Sequence, residues 1–537
     1  NLLLTLVVLV VFTVSARSQT TIEYLDINNV KATILTHGDM FWNPTTGTAG
    51  YEFPKGSSKH SNFANSIWIA GYDSASNLHV SAQTYRQSGN DYWPGPLDST
   101  GSLSSSVSND WDKIWKVNKT TIDSFLSLPT HTLANTPQVI LEWPAKGNTN
   151  AKGKGGASLN ITKDMAPFVD INLDGIYNAL QGDYPQIKGE QALWWVFSDN
   201  GPTHDETNGL PFKIEIHAMA YACNSVISLQ NTTFYSYKII NHSGYEYNNT
   251  RIGLWSDYDL GYAFDDYLGS DTVRRMGISY NGDSSDIDYG TQLTQTGTVL
   301  ITSPLDTGLV KQPLGSFTYY DNSMGTPTGN PSAPIHFTNL LNSKWLDGQH
   351  FTNACNGRGA GSNVNYIFPS DPSDITGWSE KQCNNTPSDR RFVMSTSDFT
   401  LNPLDPLIYT IAIVSTPIGS NNNDFVTVKE LADSAIAYTK GCGNSSISTS
   451  VSNTIDESQI SIFPNPTTSN IQIKWSENMK QKINSIAVIN TLGETIFNTN
   501  SVINNRVEIG LSQFADGIYY VQINTKDKTF TKKVLKR

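Results

Sequence analysis

The feature that most limits what this chain can fold into is the recurrence of short runs in which apolar and polar residues alternate, each closed by Gly, Asn, Asp or Pro. A period of two sends successive side chains to opposite faces of a strand, and those closing residues are the ones that turns accept. Residues 66–70 (SIWIA), 138–143 (QVILEW), 212–220 (FKIEIHAMA), 234–240 (FYSYKII) and 407–414 (LIYTIAIV) all read as strands. Helical patterning is confined to residues 114–126 and 423–439. The expected fold is therefore mainly β: a sandwich-like, multi-sheet body with few helices, followed by a small C-terminal Ig-like β-sandwich.

With 537 residues the chain exceeds what one ordinary core encloses, so two or three domains are expected. The apolar run from Leu2 to Val14 has the length of a signal-peptide core and is too short to span a membrane. Small residues follow it, so residues 1–19 are expected to be a signal peptide lacking its basic start, with cleavage near Ser18. No Cys lies there to accept a lipid, and no later stretch is long and apolar enough to cross a bilayer. Residues 20–440 form the β-rich body, as one unit or two subdomains. Residues 441–457 (GCGNSSISTSVSNTIDE) lack apolar anchors and read as a linker, and residues 458–537 hold five or more strand-like runs. A net charge of −12 disfavours nucleic acid and favours cations as charged ligands.

Four segments of the last domain occur in a fixed order: 462–467 (IFPNPT), 488–497 (VINTLGETIF), 511–523 (LSQFADGIYYVQI) and the basic terminus 530–537 (FTKKVLKR). Pro464 and Pro466 fix φ and withhold N–H donors, which places Asn465 in a turn. Gly493 stands where a hairpin needs positive φ. Gly517 opens a strand on which Tyr519, Val521 and Ile523 share one face, and Lys532 and Lys533 belong to the basic end. Together these segments resemble the type A sorting domain of the Bacteroidetes type IX secretion system. The resemblance implies export, passage through the outer membrane by that machinery, and release or attachment at the cell surface with the domain removed. In the body, residues 68–73 (WIAGYD), 77–79, 84–97, 169–185 and 256–271 resemble a group of large secreted proteins of no assigned activity, which implies location and not chemistry.

Two acidic stretches point to calcium. Asp170, Asn172 and Asp174 followed by Gly175 form a D-x-N-x-D-G loop, in which alternate oxygens converge while glycine allows the sharp turn. Position twelve is Gln181, where an EF-hand has Glu, so the expected shell adds the Ile176 carbonyl and the side chain of Asp183. The bland reading is a turn capped by Asp and Asn. The second stretch holds Asp257, Asp259, Asp265, Asp266 and Asp271, then Asp283, Asp286 and Asp288. These carboxylates repel unless cations or Arg274 and Arg275 intervene, so a second divalent site is expected there, against a solvated acidic loop. The four Cys, in an exported chain, allow three pairings; Cys355 with Cys383, both in one Gly-, Asn- and Ser-rich stretch, is the favoured one, which leaves Cys223 with Cys442.

Catalytic signatures are thin. There is no HExxH, GxSxG or phosphate loop, the nine His are scattered, and His204-Asp205-Glu206 reads as a polar loop. Paired acids for glycoside hydrolysis leave no local signature, and Asp257 with Asp259 would serve. Tyr85, Tyr92, Trp93, Trp194 and Trp195 would stack on sugars, although aromatics in strand-rich chains are more often core. The leading expectation is a calcium-stabilised, non-catalytic surface protein for adhesion, matrix or glycan binding. The alternative is a secreted hydrolase acting on polysaccharide or protein.

Overall fold

The computed structural model describes residues 21–86, 89–306, 310–438, 460–475, 483–490, 494–499, 506–525 and 529–537. The expected signal peptide (1–19), the linker (441–457), Cys442 and Gly493 lie outside the described residues. The chain divides into two compact units, one ending and the other beginning near residue 444.

In the first unit two large antiparallel sheets stack face to face. The first is built around Ala64–Tyr72, Tyr247–Asp257, Arg390–Ser395 and Ser316–Asp321. The second runs through Gln191–Ser198, Ile214–Ala222, Thr232–Asn241, Leu407–Ser415, Gln295–Thr302, Met276–Asn281 and Asp266–Asp271. Alternation sets the inner faces: Ile67, Ile69, Ile252 and Leu254 from the first sheet meet Ile214, Ile216, Tyr235 and Ile411 from the second in one core.

The outer faces are covered too, which is why Gln191–Ser198 and Ile214–Ala222 are buried at every position. The helix Pro334–Leu341 lays Phe337 and Leu340 against Trp68 and Trp255 on the first sheet. The helix Val426–Ala437 and the segment from Trp111 to Ala179 cover the second sheet, around Trp194, Met219 and Phe234.

Four of the five strand runs lie in or largely within strands, and the helix expected over 423–439 spans Val426–Ala437. Residues 138–143 are a correction. They contain the helical turn Gln138–Leu141, because Ile140 and Trp143, three apart, are the two side chains that enter the core. Residues 114–126 are a second correction. Trp115–Asn118 is a strand paired with Gln191–Ser198, since Trp115 and Val117 alternate inward, and only Lys119–Leu126 is helical, with Ile122 and Phe125 on one face.

The second unit is a small sandwich. A three-stranded sheet (Ile460–Phe463, Asn470–Trp475, Arg506–Gly510) and a four-stranded sheet (Thr495–Thr499, Ile483–Asn490, Gly517–Thr525, Thr529–Lys536) enclose Ile471, Ile473, Val488, Ile509, Tyr519, Val521 and Ile523. Asn465 sits between Pro464 and Pro466 and is pinned to the last strand, donating to the Lys533 carbonyl at 2.8 Å and accepting from the Leu535 amide at 2.9 Å. The Tyr519 hydroxyl donates to the Ala515 carbonyl across the start of the strand that Gly517 opens. The Asn490 amide donates to the Glu494 carbonyl at 3.0 Å, and Lys532 lies on the last strand beside Lys533.

Candidate metal centre

Tyr247–Asp257 and Arg390–Ser395 are antiparallel neighbours with Asp257 opposite Arg391. Just beyond these paired ends lie Asp259, two residues after Asp257, and Asp389, two residues before Arg391. That register closes a gap of 130 residues in sequence, and ligand atoms of Asp257, Asp259 and Asp389 all lie within 4.8 Å of one another. This is the one such group of acidic, His or Cys side chains among the described residues.

Asp257 is 1% exposed. Its Oδ2 accepts from the Tyr85 hydroxyl and from Arg391 Nη2 at 3.1 Å, while its Oδ1 is buried with no hydrogen-bond partner. Arg391 also donates to Asp389 Oδ1 and, through Nε and Nη2, to the Tyr85 oxygen. Asn322 donates to Asp389 Oδ2 at 2.9 Å. Asp259 Oδ1 is likewise buried without a partner. Burial pushes the Asp257 carboxyl up to about 6 against the pull of Arg391. Burial, reinforced by Asp257 and Asp389, holds Asp259 well above the carboxylate range. One guanidinium thus faces three carboxylates, and the unmatched oxygens are those of Asp257 and Asp259. Hard oxygen donors converging in this number suit a divalent cation such as calcium.

Of the second acidic stretch, Asp257 and Asp259 join the trio, and its other carboxylates lie outside that group. Asp265 and Asp266 stand at the start of Asp266–Asp271, where Asp266 Oδ2 accepts from the Leu260 amide at 3.0 Å. Oδ1 of each is buried and without a partner. Burial pushes Asp265 up to about 6 and Asp266 well above the usual range. Asp271 ends the same strand, roughly 17 Å away at the rise of extended chain. It caps the turn that follows through the amides of Val273 and Arg274 and pairs with the Arg274 side chain at 3.0 Å. Arg275 pairs instead with Asp306 at 3.0 Å. Asp389, which sequence reading missed, carries no local signal; only the strand register brings it in.

The D-x-N-x-D-G loop joins two short paired strands, Phe168–Val169 and Tyr184–Pro185. Asp170 accepts from the amides of Leu173 and Gly175, both at 2.7 Å, and Asp174 from the Ile176 amide at 2.8 Å. Asn172 donates to Asp174 Oδ2 at 2.8 Å. Asp183 is fully buried and accepts from the Ile171 and Asn178 amides, both at 2.8 Å. Gly175 has φ 77°, the left-handed value that the turn requires. The carboxylates of Asp170, Asp174 and Asp183 are not drawn together as the trio is.

Cys355 and Cys383 are joined in a disulfide with Cα atoms 5.3 Å apart. Cys223 is buried and is not a free thiol, and its expected partner Cys442 is outside the described residues. His204 is a core residue, bound through its ring nitrogens to the carbonyls of Val80 and Asp199. Tyr92, Trp194 and Trp195 are buried core, while Tyr85 serves the trio.

Residues 461–537 match the family model described as a secretion system C-terminal sorting domain. The chain carries a type IX secretion sorting domain, which implies the type IX machinery as partner and a secreted location at the cell surface or beyond. No described helix is long and apolar enough to cross a membrane. No curated protein matches the chain. Among solved structures, a polysaccharide lyase is similar over 60% of this chain and 34% of its own, at 8% identity and a TM-score of 0.18. The dimeric latent PorU from Porphyromonas gingivalis is similar over 65% and 32%, at 9% identity and a TM-score of 0.12. The chain spans about a third of the length of these two structures.

Proposed function

We propose that this secreted protein is a calcium-stabilised, non-catalytic component of the cell surface or matrix, acting in adhesion or glycan binding. The observation that carries the reading is the trio of Asp257, Asp259 and Asp389, whose two unmatched, buried oxygens call for a cation that Arg391 alone does not supply. Calcium is the expected ion because the donors are carboxylate oxygens and the compartment is extracellular. The D-x-N-x-D-G loop is proposed as a second calcium site built on Asp170, Asn172 and Asp174, with the Ile176 carbonyl and Asp183 completing it. Asp265 and Asp266 are available to a further ion at the start of their strand.

A hydrolase acting on polysaccharide or protein is the second reading, favoured by one observation: Tyr85 and Arg391 both contact a carboxyl whose charge is disfavoured by burial. Calorimetric titration of the full chain with calcium, beside a turnover screen on polymeric glycans and proteins, separates the two. The proposal expects a calcium site lost in Asp259→Asn and no turnover. Turnover abolished by Asp257→Asn, with no calcium bound, would replace it with the hydrolase.

A further inference from the structure

A cavity of about 360 Å³ opens on the outer face of the second sheet and shares no residue with the acidic trio. Its floor follows from register. His217 is opposite Lys238, and Ser236 is opposite Met219, on adjacent strands. Segments 146–168 and 186–188 supply its walls, which include Lys146, Phe168 and Lys188.

Three ammonium groups line this cavity in a chain of net charge −12. The one lining carboxylate, Asp164, is exposed and pairs with Lys146 at 3.2 Å. Lys188 donates to Ser236 Oγ at 3.2 Å and pairs with no carboxylate among the described residues. Lys238, in mid-strand between His217 and Ile408, makes no side-chain hydrogen bond or ion pair among the described residues. His217 is 4% exposed. Its Nε2 is 2.7 Å from Glu215 Oε1, and its Nδ1 is buried with no partner. Burial opposes charge on Glu215, but His217 and Lys163 outweigh it and hold the carboxyl down at about 2. The Glu215 contact occupies Nε2, which leaves Nδ1 as the ring nitrogen open to a ligand.

We propose that this cavity binds an anionic saccharide: Lys238 and Lys188 pair with its carboxylate or sulfate, His217 Nδ1 hydrogen-bonds a ring hydroxyl, and Phe168 packs on its apolar face. The volume falls at the lower end of the roughly 300–1,000 Å³ of small-molecule sites. The inference deepens the glycan-binding part of the function proposed above and rests on that reading for the ligand being a sugar. The D-x-N-x-D-G loop also holds the cavity wall. Phe168 pairs with Pro185 at the base of the loop, and the Tyr177 amide donates to the Lys146 carbonyl at 2.8 Å.

The test is calorimetric titration of the full chain with digalacturonate, a sulfated disaccharide, inorganic sulfate and neutral cellobiose. At least one of the two anionic sugars should bind, more tightly than sulfate or cellobiose and more weakly as salt is added. Which of them binds identifies the source of the charge. Lys238→Ala should weaken that binding about tenfold or more, as loss of a charge-assisted bond implies. The melting temperature should change little, since Lys238 makes no side-chain hydrogen bond or ion pair among the described residues. Lys188→Ala should weaken binding in the same direction. Equal affinity for cellobiose, an unchanged Lys238→Ala, or no binding of either anionic sugar would overturn the inference. None of these outcomes touches the calcium dependence of folding, so the site fails separately from the function.

Discussion

Arg391 is the cross-strand partner of Asp257 and donates to its Oδ2 at 3.1 Å, yet the other oxygen of Asp257 stays buried and unmatched. The same register places Asp259 and Asp389 beside this pair. One cation of the protein's own is therefore set among three carboxylates, and most of what the structure implies about the body follows from that imbalance.

Neutralising one member should act with opposite sign in the two metal states. Without calcium, Asp259→Asn removes repulsion from Asp257 and Asp389 and should raise the melting temperature. With excess calcium it removes a ligand and should lower the melting temperature relative to wild type. Thermal melts of both proteins in both conditions check this.

The pH dependence has a fixed direction. Asp257 and Asp265 are pushed by burial to about 6, above the ordinary 3.8. A raised carboxyl pKa contributes stability that is fully present below pH 3.8 and is lost as pH rises through about 6. Burial also raises Asp259 and Asp266 well above the usual range, so they act in the same direction. In chelator, wild type should therefore lose stability between about pH 4 and pH 7 relative to Asp257→Asn. The stabilisation gained from calcium should grow over the same range. A calcium increment that shrinks toward neutral pH would contradict this.

The bridge between Cys355 and Cys383 closes a loop with a sequence separation of 28. Loop entropy gives it roughly 3–4 kcal/mol of stability. The double Ser variant should melt lower by several degrees while keeping its calcium dependence.

Truncation before residue 458 removes the sorting domain. The body should still fold, since its cores contain no residue of the second unit, and should accumulate in the periplasm. Display of the truncated form at the cell surface would place the signal elsewhere.

Much of this architecture was legible because one-face alternation is a local property: residues 234–240 and 407–414 show it and are strands. Residues 138–143 misled because four consecutive apolar or long side chains fit either period, and only the burial of Ile140 and Trp143 decides for the helical turn. The sorting domain was legible because its turns are built from Pro, Asn and Gly at fixed places. The acidic stretch was legible as chemistry and not as geometry. Asp257 and Asp259 are neighbours in sequence and in space. Asp271 is carried off by the length of a strand, and Asp389 is delivered by a pairing that no local pattern encodes.

The most direct measurement of the central claim is the melting temperature of the full chain at pH 7 in excess calcium and in chelator, for wild type and for Asp389→Ala. Calcium at about a hundred times its dissociation constant should add close to 3 kcal/mol per site. Wild type should therefore melt several degrees higher with calcium, and Asp389→Ala should lose the part of that gain that the trio's ion supplies. Equal melting temperatures for wild type in the two conditions would contradict the account, and the trio would then be an acidic cluster satisfied by Arg391 and protons alone.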